Sequence, residues 1–339
     1  MNGFETMSAE IPTATSTGEQ IARFVVHAAV HAPSVHNTQP WWFYGADHEI
    51  GVHADDERRL AVADPDGREM MLSCGAALLT ARVALRYIGI VPKVRVFPEA
   101  GLPTLVAKIN WSDTAPPVDY ERELFAEIPR RRTHRGGFDA EPLPEGILAA
   151  LMDEAFKEKA ALRIVGDEAQ CRALAAVVEA GEYALRTNSA RAREQSKWAR
   201  PPGSARRDGV PTTAYPARPV RIEPNFPSRD FAHGHGWGLP PTGEDQLAWS
   251  AGVVAILTTT GDRPQDWVSA GQALQRMMLF AANCGIAVAL HSQPLEVPQL
   301  RDFTKVQFCG GAHPQMVLRF GTTDQTAISV RRPVDDVLF

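Results

Sequence analysis

Two stretches of this 339-residue chain concentrate side chains able to do chemistry. Residues 31–44 read His-Ala-Pro-Ser-Val-His-Asn-Thr-Gln-Pro-Trp-Trp-Phe-Tyr, and residues 130–138 read Arg-Arg-Arg-Thr-His-Arg-Gly-Gly-Phe. Asn37 offers both a donor and an acceptor. Arg130–Arg132 set three guanidinium groups in a row, the group that grips a phosphate through paired, charge-assisted hydrogen bonds. Taken alone, such a run is most often a solvated basic turn. His27, His31 and His36 lie four and five residues apart, but no acidic or thiol set accompanies them at ligand spacing, so a metal reading fails. No GxGxxG follows a strand, so no separate dinucleotide domain is expected. No Ser-His-Asp arrangement has a recognisable local signature.

The elements that must position these residues are legible in outline. Apolar content of 44% and charged content of 22% are those of an ordinary globular protein, and 339 residues can bury one large core or two ordinary ones. The net charge of −5 argues against a nucleic-acid footprint. Cys74, Cys171, Cys284 and Cys309 form no CxxC pair and read as buried reduced thiols of a cytoplasmic protein. Residues 1–18 read as a flexible polar leader without the apolar run of a signal peptide. No apolar run approaches the ~20 residues of a membrane span.

Apolar spacing predicts helices over 19–32, 69–90, about 147–155, 168–195 and 267–289. The helices at 69–90 and 267–289 are apolar on most faces, as suits a deep interface. Residues 41–55 read as strand and turn, and 104–109, 161–165, 252–260 and 315–320 as strands. An offset of 196 residues places Gly75 on Gly271, Leu78 on Leu274 and Gly89 on Gly285, which points to an internal repeat. The segment 199–245 holds nine prolines and cannot be regular helix or sheet. Trp198, Tyr215, Phe226, Phe231 and Trp237 favour a packed lid there over disorder. His233 and His235 read as lid residues.

Residues 32–41, Ala-Pro-Ser-Val-His-Asn-Thr-Gln-Pro-Trp, closely resemble the APSxxNxQPW signature of the nitroreductase superfamily. Arg131-Arg132-Thr133-His134-Arg135 resembles its RRSxR signature, and residues 331–338, Arg-Arg-Pro-Val-Asp-Asp-Val-Leu, resemble its C-terminal phosphate-binding stretch. Ordinary members carry both front signatures in one short chain, and two such chains share each flavin mononucleotide (FMN). Here the first half lacks RRSxR and the second lacks APSxxNxQPW. This division is similar to that of the Acg family, in which two nitroreductase-like halves are fused.

The resemblance implies an α+β, nitroreductase-like fold in which two fused halves form a pseudo-dimer with mixed sheets flanked by helices. The halves would span 19–120 and 121–339, with a lid insertion at about 199–245 and a C-terminal segment, 322–339, reaching back to the first half. It implies a bound FMN in one working site. Pro33, Ser34 and Asn37 would line the ring and ribityl chain, while Gln39-Pro40-Trp41 holds the loop in shape. Arg131, Arg132, Thr133, Arg331 and Arg332 would meet the phosphate. Arg135 would stand beside flavin N1 and the C2 carbonyl, where a fixed cation stabilises the reduced ring. The turn Gln293-Pro294-Leu295 would bring a backbone N–H near N5. The function implied is that of an FMN-dependent oxidoreductase, passing electrons from a transiently visiting NAD(P)H to a nitroaromatic or quinone-like acceptor. The alternative is an FMN-binding or storage protein with an occluded site. No nucleic-acid or membrane partner is expected, and the fused pair is expected to work as a monomer.

Overall fold

The structure, a computed structural model, describes residues 11–215, 221–229, 249–325 and 327–339. The first helix, α1 (Gly18–Ala29), starts at a capping box in which Thr17 and Gln20 satisfy each other's backbone N–H groups. Its apolar face, Ile21, Phe24, Val25 and Ala28, is buried. The sequence from Trp41 then folds as a hairpin, β1 (Trp41–Ala46) and β2 (Glu49–Ala54), with Phe43 opposite Val52. Helix α2 (Arg68–Tyr87) is buried on almost every face. Strands β3 (Ile90–Val96) and β4 (Leu105–Thr114) complete an antiparallel sheet of order β1-β2-β4-β3.

After a short helix α3 (Asp119–Glu127) and the two-residue strand β5 (Thr133–His134), the order recurs. Helix α4 (Ile147–Lys157) and β6 (Ala161–Val165) come first. The helix expected over 168–195 is in fact two, α5 (Glu168–Thr187) and α6 (Ser189–Ser196). Asn188 divides them, since its extended backbone ends one helix while its side chain caps the next. Four two-residue strands follow: β7 (Ala199–Arg200), β8 (Val210–Pro211), β9 (Ile222–Glu223) and β10 (Trp249–Ser250). Phe231, His233, His235 and Trp237 lie outside the described residues. Then come β11 (Val253–Thr259), α7 (Pro264–Asn283), β12 (Ala287–His291), α8 (Pro298–Phe308) and β13 (His313–Gly321).

The second sheet runs β5-β12-β13-β11-β6, antiparallel except where β5 lies parallel to β12. Helices α4 and α7 bury apolar side chains on one of its faces and α5 and α8 on the other. Apart from β5, its strand order repeats that of the first sheet.

Helices α2 and α7 obey the offset of 196 at both ends, Arg68 matching Pro264 and Tyr87 matching Asn283. Both are shorter than the expected 69–90 and 267–289. Each stops before a glycine in the left-handed region, Gly89 (φ +82) and Gly285 (φ +70), a conformation that ends a helix cheaply only in glycine. The residues beyond α7 that continue its apolar pattern belong to β12. The two helices pack on each other, and Leu72 of α2 enters the core under the second sheet while Val268 of α7 enters the core under the first. At the C-terminus Phe43 N–H donates to Val337 O (2.6 Å) and Phe339 N–H to Phe43 O (2.9 Å), so the chain end lies along β1.

Candidate functional site

The loop from Ala32 to Gln39 holds three non-glycine residues at positive φ: His36 (48°), Asn37 (52°) and Gln39 (51°). Each costs of order 1 kcal/mol or more, so neighbouring structure must hold the loop in place. The donors and acceptors are specific. Asn37 Nδ2 donates to Gly209 O (2.8 Å) and Val330 O (3.1 Å), and its Oδ1 accepts from Arg331 Nη1 (3.2 Å). Gln39 donates to Arg207 O (2.9 Å) and accepts from Arg332 N–H (2.8 Å). Ser34 Oγ accepts the Gln39 N–H at 3.0 Å. The loop is thereby tied to both the C-terminal tail and the 199–215 segment.

This loop forms one wall of a cleft, with Pro33, Ser34, Val35 and His36 lining it. The start of α2 adds Glu69, Leu72, Ser73 and Ala76. The second sheet and its helices supply Thr133, His134 and Arg135, Leu274 of α7, Leu290–Gln293 and Met316. Val210, Tyr215, Ser228 and Arg229 close it.

The arginines separate into two sets. Arg131 and Arg331 donate through Nη2 to one acceptor, the carbonyl of His31, each at 3.1 Å. Arg131 is 3% exposed, and its Nε and Nη1 have no hydrogen-bond partner, nor has Arg331 Nε. Among the described residues neither guanidinium has a carboxylate partner. Burial, then the charges of Arg331, Arg132 and Arg135, pull Arg131 well below the usual arginine range. Burial, Arg132 and Arg135 push Arg331 down to about 9. An uncompensated buried cation cluster of this kind calls for an anion. Arg332 is not part of it. Its guanidinium reaches Gln39 O, Trp41 O and Asp336 O, along the edge of β1. Arg132 caps the carbonyls of Pro129 and Arg131 from beside the cluster.

Arg135 borders the cleft, with its guanidinium 5.4 Å from the Tyr215 ring centre. The Arg-Gly-Gly-Phe run behind it is pinned by the fully buried Arg319, which donates to Gly136 O (3.1 Å), Ala251 O (3.1 Å) and His291 Nε2 (2.9 Å). Of the turn after β12, Gln293 lines the cleft. Pro294 packs against Gly181 and has no N–H, and the Leu295 N–H closes the turn on Ser292 O (2.8 Å).

Sequence reasoning missed Glu69 on the cleft wall and the buried carboxyls around Arg229. Arg229 is buried and bonds to Glu296 and His36, with Glu182 at 3.8 Å. Burial, then the Arg229 and Arg135 charges, hold His36 well below the usual histidine range and so neutral. Burial is the main force raising Glu182 to about 7, against the opposing pull of Arg229. The signal for Glu69 was present, a charged pair, Arg68-Glu69, at the head of a helix apolar on most faces. No local pattern marks Arg229.

The nitroreductase family model matches residues 128–322, more than half of the chain. The chain belongs to the nitroreductase family. Its relatives include a Mycobacterium tuberculosis (strain H37Rv) protein provisionally named NAD(P)H nitroreductase Rv3131, 33% identical over 89% of this chain and 85% of that one. Another from the same strain, provisionally named NAD(P)H nitroreductase acg, is 26% identical over 95% and 96%. Among solved structures, the FMN-dependent nitroreductase NfnB of Mycobacterium smegmatis in complex with NADPH is 18% identical, covers 65% of this chain and 93% of its own, and aligns with a TM-score of 0.36. No described helix is long and apolar enough to cross a membrane.

Proposed function

We propose that this chain is an FMN-dependent oxidoreductase of nitroreductase type, reduced by NAD(P)H and oxidised by a nitroaromatic or quinone-like acceptor. The observation that carries this reading is the pair Arg131 and Arg331, whose unpartnered N–H groups suit a phosphate dianion. FMN, when bound, supplies two-electron hydride chemistry. The chain's own residues hold and orient it. Arg131 and Arg331, with Thr133 and Arg132 beside them, would take the phosphate. Pro33 and Ser34 wall the cleft from the first half, with Asn37 acting behind them as the brace of the loop. Arg135 sets a positive charge against the occupant, favouring negative charge that develops there on reduction. In this reading the units are the halves 19–120 and 121–339, with one working cleft per chain, so the fused pair works as a monomer.

One observation favours a second reading, an FMN-holding protein with an occluded site. Tyr215 stacks on Arg135 and its hydroxyl donates to Arg229 O, while Ser228 Oγ donates to Arg135 O (3.0 Å). Residues of the 199–229 segment thus close the cleft. An anaerobic titration of the FMN-loaded protein with NADPH and then NADH separates the two. Bleaching of the yellow absorbance is the expected result. Persistent colour under excess of both, with bleaching by dithionite, overturns the oxidoreductase reading in favour of storage.

A further inference from the structure

Glu69 stands in the first turn of α2, 3% exposed, on the wall of the cleft. Its two oxygens differ. Oε1 accepts from Arg68 Nη2 at 2.9 Å, and Arg68 is itself fixed by donating to Gln315 O of β13 at 2.8 Å. Oε2 is buried with no hydrogen-bond partner. The charged groups facing Glu69 are Glu296, Arg68, Asp64 and Arg229. The two other carboxyls each have donors of their own. Asp64 Oδ2 accepts the Met70 N–H at 2.9 Å, and Glu296 accepts from Arg229 and from Ser292 Oγ (2.8 Å). Glu296 Oε2 is also buried without a hydrogen-bond partner, but it faces Arg191 Nη1 at 3.6 Å and does not line the cleft. Glu69 is the one of the three that lines the cleft, and a bare carboxylate oxygen in such a place favours a bound proton.

We propose that Glu69 is the proton donor of the cleft, giving its carboxyl proton to an oxygen of the bound acceptor as that acceptor receives a hydride equivalent. The inference rests on the oxidoreductase reading, whose reduced cofactor is the hydride source. For a quinone, one hydride and one proton make the hydroquinone. The Glu69 O–H bond breaks, an acceptor O–H bond forms, and water at the cleft mouth returns a proton to the carboxylate. Burial and the facing Glu296 charge push Glu69 up to about 8, against the pull of Arg68, so the proton is present at neutral pH.

The test uses the full chain and has two readouts. The first is the infrared difference spectrum of wild-type protein minus Glu69→Gln at pH 7, without flavin. A carboxylic-acid C=O band assigned to Glu69 is expected, fading as pH rises through about 8. The second is single-turnover reduction of a benzoquinone by FMN-loaded, dithionite-reduced protein. Glu69→Gln is expected to slow it by roughly 10²-fold or more and to abolish its fall at high pH, while Glu69→Asp restores part of the rate. The proposal is overturned by the absence of the Glu69 band at neutral pH. It is also overturned by Glu69→Gln transferring at the wild-type rate with the wild-type pH profile, or by wild-type protein passing nothing to the quinone. Bleaching by NAD(P)H tests the parent reading separately. Its failure, with dithionite-driven transfer still dependent on Glu69, removes the nicotinamide step and leaves the proton donor standing.

Discussion

Gly75 and Gly271 each mark the point where one long helix touches the backbone of the other. A Cβ on Gly75 would lie 2.2 Å from Val268 O, and a Cβ on Gly271 would lie 1.9 Å from Leu72 O. The offset of 196 that relates the two glycines also relates Leu72 to Val268, so the same contact is made twice, once from each helix.

Gly75→Ala or Gly271→Ala must therefore separate α2 from α7. Each is expected to destabilise the protein by about 3 kcal/mol, as overpacking against backbone does. Gly166→Ala, at a glycine whose added Cβ would meet nothing within 4 Å and whose backbone is not left-handed, is expected to be near neutral. Chemical denaturation of the three variants checks the contrast. Equal midpoints would show that the helix contact yields.

Arg331→Ala and Arg131→Ala should each weaken FMN binding by about 2 kcal/mol, roughly thirtyfold, the scale of a hydrogen bond to a charged group. Arg332→Ala should weaken it far less, because that guanidinium serves the β1 edge. Flavin fluorescence titration of the apoprotein measures all three. A larger effect at Arg332 than at Arg331 would reverse the assignment.

Asp208 ties the 199–209 segment to Arg58, between β2 and α2, at 3.0 Å, and holds the segment's own Arg200 (2.7 Å) and Arg206 (3.1 Å). Burial alone would raise its pKa, but hydrogen bonds from Arg206, Arg200 and Arg58 outweigh it and hold the carboxyl down at about 2. A carboxyl lowered on folding adds stability above its unfolded value, near 4, and that stability is lost as pH falls towards 2. Asp208→Asn is expected to cost about 3 kcal/mol at neutral pH, leaving buried Arg200 without its partner. The cost should shrink steadily below about pH 4, the ordinary range of a carboxyl. Urea unfolding at several pH values reads both effects.

Arg229→Ala removes the cation shared by Glu296, Glu182 and His36. Release of the 199–229 segment is the expected outcome, seen as faster thermolysin cleavage there and faster bleaching of bound FMN by NADPH. Unchanged rates of both would mean that Tyr215 and Ser228 close the cleft without Arg229.

Much of the architecture follows from local pattern. Helix α4 and strand β6 stand where apolar spacing places them, since both bury one face in an ordinary way. The expectation failed where two elements share one apolar pattern, as at the junction of α7 and β12. There a left-handed glycine at 285 decides the boundary, and hydrophobicity does not show it. The break at Asn188 is similar, because a cap residue inside an amphipathic run reads as one more polar position.

The sequence by itself determined the two signature stretches and the glycine-bearing long helices, because these depend on residues a few positions apart, and the offset of 196 that relates the helices, because like residues recur at it. Only the tertiary structure decided which groups meet. Arg331 and Arg332 are neighbours in the chain, yet one turns to the His31 carbonyl with Arg131 and the other to the β1 edge. Glu69 and Glu296 lie more than two hundred residues apart, yet the Glu296 charge helps to raise Glu69. Neither outcome is written in spacing, because both depend on the path of the whole chain. A side chain's charge state and reach are set by burial and by the partners that path delivers.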